Sequence, residues 1–257
     1  MGPTTNDAPG AARSPYARGR STSYPSNVDY RIGKLAALGI TTGDWLDVGC
    51  ADGGYLRPLL AAGASTVTGV DVEEETLTRA RADLGGEPRI RLRLIPEDRL
   101  PLDSSQFAGC LLNEVLEHCL SDTAMLAEVR RVLVPGGHVA VFSPNRYFPF
   151  EGHGIRLGSH RYWGPVPLAH WLPQSVRERV LFARTYTPRG LVSLVSESGF
   201  EVVSAQPVLP CLERWNPLPS FALPAYRRAV PRAEATPLVR TFLAVSSLVV
   251  ARRPLGG

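Results

Sequence analysis

The groups best placed to do chemistry are two carboxylates and the glycine-bearing turn between them. Leu46-Asp-Val-Gly-Cys-Ala-Asp-Gly-Gly54 reads as a buried strand that breaks into a turn and opens a helix over about residues 53–60. Gly49 and Gly53 let the backbone turn tightly and lie close to a ligand, and the first amides of such a helix would face a bound group. Eighteen residues beyond Gly53, Thr66-Val-Thr-Gly-Val-Asp71 reads as a second strand that ends in a carboxylate. An acidic residue at about this spacing holds the ribose hydroxyls of a nucleotide-like ligand in doubly wound folds. The pattern Gly49-Cys-Ala-Asp-Gly-Gly54 puts Ala51 where a dinucleotide fingerprint needs its second glycine. The expected ligand is therefore an adenosine-containing cofactor other than a dinucleotide. Asp47, Gly49, Cys50, Ala51, Gly53, Asp71 and Val72 are the candidate contacts.

Proton-transfer candidates follow further along. His153, with Glu151 as a partner, is the first candidate for a general base, and His118 is the second. His138, after Pro135-Gly-Gly137, reads as structural. Glu114, Glu117 and His118 sit at i, i+3 and i+4, so a helix would turn all three to one face. With His153 or His160 as a fourth ligand, such a set would suit Mg²⁺ or Mn²⁺. The simpler reading, in which these side chains support the pocket without a metal, is preferred.

Several elements must position these groups. Asn27 caps a helix that Gly39 ends. Residues 89–95 alternate polar and apolar as a half-buried third strand, and residues 109–113 form a fourth. Leu126, Val129, Val132 and Leu133 mark a helix ended by Pro135-Gly-Gly137, with a fifth strand over 139–145. Thr187-Pro188 opens a further helix, and strands are expected near 200–205 and 242–251. Two excursions interrupt this alternation, 144–186 and 207–237. The first holds eight of the chain's 20 aromatics and three of its five histidines, a composition suited to a small-molecule pocket or to a second small core. The second carries seven prolines.

The motif Asp47-x-Gly-x-Ala-x-Gly53 resembles the first motif of class I S-adenosylmethionine-dependent methyltransferases, an acidic residue followed by G-x-G-x-G. The rest agrees in order: an acidic loop and Leu100-Pro101, the E-x-L-E-H segment Glu114–His118, and Arg131-x-Leu-x-Pro-Gly-Gly137 leading to Ser143-Pro-Asn145. Together they resemble the methyltransferase type 11 and ubiquinone-biosynthesis-like members, over roughly residues 27–205 and the last strand. Phe107-Ala108 departs from the usual Phe-Asp. The acidic loop is one residue short, so the adenine contact falls on Asp98 or on neighbouring Glu97. Pro149–His153 and His170–Pro173 resemble segments of methyltransferases acting on small or lipid-like metabolites.

The resemblance implies an α/β fold with a Rossmann-like seven-stranded, mostly parallel sheet in the order 3-2-1-4-5-7-6, its last strand antiparallel and helices on both faces. S-adenosylmethionine is the implied cofactor, with Asn113 and Glu114 as further contacts. In some class I methyltransferases the segment matching Glu114, Glu117 and His118 coordinates a divalent cation. The implied activity is O-methylation of a small metabolite such as a sugar, polyketide or lipid precursor. Metal-dependent RNA 2′-O-methylation and a non-catalytic cofactor-binding scaffold are the alternatives. The amine-methylating signature, Asn or Asp then Pro-Pro and an aromatic, is absent after strand four, where Asn113 precedes Glu114-Val115.

Composition bounds the rest. A chain of 257 residues can bury a full core, and one methyltransferase domain over 27–257 with two insertions is expected, preceded by a flexible segment or lid over 1–26. The net charge of +4 comes from scattered arginines, with Lys34 the only lysine, so nucleic acid is not the expected partner; a small-molecule acceptor is. No signal-peptide-like stretch is apparent, and the longest apolar run, 242–251, is half of the roughly 20 residues that span a bilayer. Cysteines 50, 110, 119 and 211 lack metal-site spacing and read as free thiols of a cytoplasmic protein.

Overall fold

Alternate residues of the central strands pack into opposite hydrophobic layers, so the sheet is covered on both faces. In the computed structural model, which describes residues 25–97, 99–163, 165–210 and 223–256, Leu46 and Val48 enter one layer while Trp45 enters the other. Leu112 and Val141 likewise oppose Leu111 and Phe142. Burial on both sides explains why these strands read as continuous apolar runs.

The first half of the chain runs α1 (Pro25–Ala37), β1 (Gly43–Val48), α2 (Leu56–Ala61), β2 (Ala64–Asp71), α3 (Glu74–Leu84), β3 (Ile90–Leu94), β4 (Phe107–Asn113), α4 (Asp122–Val132) and β5 (Leu133–Pro144). Four short strands follow, β6 (Phe150–Glu151), β7 (Ile155–Leu157), β8 (His160–Tyr162) and β9 (Val166–Pro167). Then come α5 (Gln174–Val180), α6 (Pro188–Glu197), β10 (Glu201–Val208), α7 (Leu223–Ala235) and β11 (Ser246–Arg252). The large sheet has the order β3-β2-β1-β4-β5-β11-β10, with β11 antiparallel to both neighbours, as the resemblance implied. The C-terminal ends of β1, β2, β4 and β5 therefore share one edge, and the short strands of the first excursion follow directly from β5.

Several boundaries differ from the sequence reading. Helix α1 begins at Pro25, so Asn27 lies inside it and its Oδ1 accepts from Arg31 Nε at 3.2 Å. The helix after the glycine turn spans only Leu56–Ala61, because Ala51, Gly49 and Gly53 all adopt positive φ and hold residues 51–55 in turns. Pro135-Gly-Gly137 does not end α4. The chain is already extended at Leu133, and the three residues lie within β5. Phe242 is not in the last strand, since residues 239–243 form a wide helical turn before Ser246. The first excursion is no featureless loop. It folds into the antiparallel pairs β6–β9 and β7–β8, closed at its base by a bridge from Asn145 to Tyr186. Of the segment expected as a flexible stretch or lid over 1–26, residues 1–24 lie outside the described residues, as do Asp98 and the fourth cysteine, Cys211, while residues 25 and 26 open α1.

Candidate functional site

The glycine turn is tied to β2 at every step. Gly49 N and Cys50 N both donate to Val70 O, at 2.8 and 3.0 Å, and Ala51 N donates to Asp71 Oδ2 at 2.8 Å. Ala51 reaches that carboxylate only by adopting φ +48°, a left-handed conformation that favours glycine. A side chain at Gly49 would meet Val115 Cγ2 at 2.5 Å, so the turn is cut close to the strand-four loop. Asp71 takes Val72 N and Glu73 N on its other oxygen, at 2.7 and 3.0 Å. Its carboxylate thus braces the turn, and of its roughly four lone-pair sites one, on Oδ2, is left for a ligand hydroxyl.

Asp47 lies beside it, in register with Gly69 and Leu111. It is 2% exposed, and its Oδ2 is buried without a hydrogen-bond partner. Burial first, and the neighbouring Asp71 charge second, push its carboxyl well above the usual carboxylate range. A buried carboxylate next to another, without a cation to relieve it, is costly to ionise. S-adenosylmethionine carries positive charge on both its sulfur and its amine, so the carboxylates fit it: Asp47 and Asp71 would hold the charge and ribose, while the missing side chains at Gly49 and Gly53 make room for Val115 and for Leu84, Ala80 and Leu56. Cys50 offers no side chain here. It packs in the core, where burial and the Asp47 and Asp71 charges push its thiol up. Val72 packs against the opposite layer, and Glu97 lies past β3, partly buried.

The strand-four end departs from the expected helical face. Glu114 has φ +55° and only Leu116–His118 form a single 3-10 turn, so Glu114, Glu117 and His118 are not presented together by a helix. Glu114 is instead claimed by Arg31, whose Nη2 lies 2.8 Å from Oε1, with Ser246 Oγ donating to the same oxygen at 2.6 Å. Burial opposes ionisation of Glu114, but Arg31, Ser246 and His153 outweigh it and lower its carboxyl. Arg31 Nη1 also donates to Asn113 Oδ1 at 2.6 Å, and the guanidinium lies over the Phe142 ring. Two of the expected cofactor contacts, Asn113 and Glu114, are thereby fixed by one side chain from α1.

What the fold does bring together is Glu117, His118 and His153, whose ligating atoms lie within 4.8 Å of one another. The His118 and His153 rings meet edge to face at 5.2 Å. Glu117 is fully buried, accepts from Ser143 Oγ at 3.2 Å, and has its carboxyl pushed well up by burial and then by Glu114. This trio could hold a divalent cation, with His153 rather than His160 completing it. Exposed His160 lies in the β7–β8 hairpin.

His153 is itself held. Its backbone N and its Nδ1 both face Glu151 Oε1, the ring nitrogen at 3.1 Å. Glu151 is fully buried, yet the hydrogen bonds and charges of His153 and His170 overcome burial and bring its carboxyl down to about 2. An ionised carboxylate only accepts, so His153 Nδ1 carries a hydrogen, and in the neutral ring Nε2 keeps its lone pair. Burial would lower the His153 imidazole, but Glu151 and then Glu114 reverse this and raise it. On the far side, His170 Nε2 lies 2.7 Å from Glu151 Oε2, and its Nδ1 lies 3.0 Å from Phe148 O. The His170 ring is thus held between the Glu151 carboxylate and the Phe148 carbonyl. Arg31 and His170 were missed as site residues. Arg31 falls on the buried stripe of α1 with Val28, Ile32 and Leu35, a position where a charge signals a buried partner.

Residues 46–141 match the family model described as a methyltransferase domain. A probable S-adenosylmethionine-dependent methyltransferase of Mycolicibacterium smegmatis is 35% identical over 165 residues, covering 63% of each chain. A ubiquinone biosynthesis O-methyltransferase of Dinoroseobacter shibae is 28% identical over 175 residues, covering 66% of each. The match thus spans less than two thirds of either relative. A solved S-adenosylmethionine-dependent methyltransferase from Mesorhizobium loti superposes with a TM-score of 0.58 over 87% of this chain and 98% of its own; at 21% identity the likeness is one of fold.

Proposed function

From the match of residues 46–141 to a methyltransferase domain, we propose that the chain is a class I S-adenosylmethionine-dependent methyltransferase that O-methylates a small metabolite, with His153 as the general base. The observation that carries this reading is the Glu151–His153 pair, in which the carboxylate holds Nδ1 and leaves Nε2 as the ring nitrogen that can take a proton. When bound, S-adenosylmethionine supplies an electrophilic methyl group on a positively charged sulfur. Asp47 and Asp71 would hold that cation and its ribose. His153 Nε2 accepts the acceptor hydroxyl's proton, while Glu151 holds the ring and stabilises the imidazolium as it forms. His170 fixes Glu151 from behind. The O-methyltransferase named among the relatives supports an oxygen acceptor, and the sugar, polyketide or lipid-precursor class remains the proposal.

The test is transfer of label from methyl-labelled cofactor into small-molecule extracts, comparing the wild-type chain with His153→Asn. Label in the metabolite fraction that drops about 10²-fold or more in the variant is expected. Activity should rise with pH through a value above 6.5, since the raised imidazole must be neutral to act. A divalent cation held by Glu117, His118 and His153 is a second reading, favoured by their convergence. Label appearing only in RNA, and only before chelation, would move that reading to the front.

A further inference from the structure

Two arginines are buried among the described residues, and they are held very differently. Arg31 has the Glu114 carboxylate 2.8 Å away. Arg177, 8% exposed on α5, has no carboxylate: its Nε donates to Leu172 O and its Nη1 to Thr185 Oγ1, both at 3.0 Å and both neutral oxygens. Its Nη2 has no partner among the described residues. A guanidinium withdrawn from water is costly unless an opposite charge meets it.

A second arginine adds to that cost. Arg146, half-buried where β5 ends, bonds only through its backbone N, to Tyr186 O at 2.9 Å, and its guanidinium has no partner among the described residues. Burial first, and the Arg146 charge second, lower the Arg177 guanidinium, and Glu178 offsets them only in part. Glu178 is exposed and accepts from Gln174 Nε2 at 2.8 Å. Between residues 144 and 177 the sequence holds a single carboxylate, Glu151, which His153 and His170 already engage. The excursion therefore has no counter-charge of its own for this arginine pair.

The unused donors suit an oxyanion. Thr185 accepts from Arg177 through its oxygen, so its hydroxyl hydrogen is free to donate. Guanidinium groups take carboxylates and phosphates through paired N–H groups. The same segments reach the proton-transfer groups. The turn at 169–172 brings His170 onto Glu151 and Leu172 O onto Arg177, and Phe148, two residues after Arg146, meets His170 Nδ1.

We propose that Arg146, Arg177 and Thr185 form an anion subsite for a carboxylate or phosphate group on the methyl acceptor, which makes that acceptor an anionic small molecule. The acceptor as carrier of the anion rests on the methyl-transfer reading, whereas the anion site itself does not.

The test is titration of the full chain with inorganic phosphate and with benzoate at constant ionic strength, alongside Arg146→Gln and Arg177→Gln. Wild type is expected to bind at least one of the two with a Kd on the order of millimolar. That affinity should fall about tenfold in each variant, and the anion bound more tightly names the acceptor's group. Arg146→Gln removes no side-chain bond from the fold, so it decides the matter even where Arg177→Gln destabilises α5, and S-adenosylmethionine titration reports the folding of each. Binding of neither anion by the wild type, or unchanged binding in Arg146→Gln, would overturn the proposal. Labelled product from the extract assay should be retained on an anion exchanger, and a product without negative charge would overturn the link to the acceptor. Anion binding through both arginines with no label transferred would count against the methyl-transfer reading alone.

Discussion

At the scale of single residues, Asp47 makes the sharpest claim, because its folded environment penalises the charge that the proposed cofactor-binding role requires. In the ligand-free fold its proton is held more tightly than in the unfolded chain. Stability is therefore greatest while Asp47 is protonated, and it falls as pH rises above about 3.8 toward the raised value. Asp47→Asn should remove that slope and raise neutral-pH stability by about 1 kcal/mol or more, read by thermal unfolding across pH. The same change should weaken S-adenosylmethionine binding at least ~tenfold. A variant less stable than wild type at neutral pH would contradict the electrostatic reading. Asp71→Ala should also weaken the cofactor at least ~tenfold, through a lost charge-assisted bond of about 1.5–3 kcal/mol. Because Asp71 also braces Ala51, Val72 and Glu73, that variant should lose stability where Asp47→Asn gains it. Unchanged affinity in a folded Asp71→Ala chain would remove the ribose assignment.

At the scale of elements, α1 is more than packing: it inserts Arg31 beneath the strand-four loop. Arg31→Met should leave Glu114 without its buried counter-charge and cost about 3 kcal/mol, within the range for breaking such pairs. Pairing it with Glu114→Gln should recover part of the loss, which a double-mutant cycle by denaturant unfolding would measure. This dependence also explains what the sequence could reveal. Strands β4 and β5 were legible because burial on both faces leaves long apolar runs, and the glycine turn was legible because only certain residues tolerate positive φ. The helical face expected of Glu114, Glu117 and His118 failed at Glu114, whose backbone is left-handed and whose carboxylate is taken by Arg31 and Ser246, residues 83 and 132 positions away. Local periodicity carries no trace of partners that distant. His153 was identifiable from its chemistry, but His170, which fixes the carboxylate behind it, became evident only when β6 and the turn at 169–171 packed together.

At the scale of the whole molecule, the sheet order puts two kinds of chemistry on one edge: a cation-seeking pair of carboxylates at β1 and β2, and a buried carboxylate–imidazole relay in the excursion after β5. The cofactor half is read from the turn and the sheet, while the acceptor half depends on the excursion, whose inner face is polar and outer face apolar. The central claim is that Asp47 awaits a cationic cofactor. It is tested most directly by calorimetric titration of the full chain with S-adenosylmethionine at mildly acidic pH, in two buffers of different ionisation enthalpy, with NAD as a control. Binding on the order of micromolar is expected, with net proton release as the cofactor's charge ionises Asp47, and no heat with NAD. Absence of binding, binding without proton release, or binding of NAD in its place would contradict it.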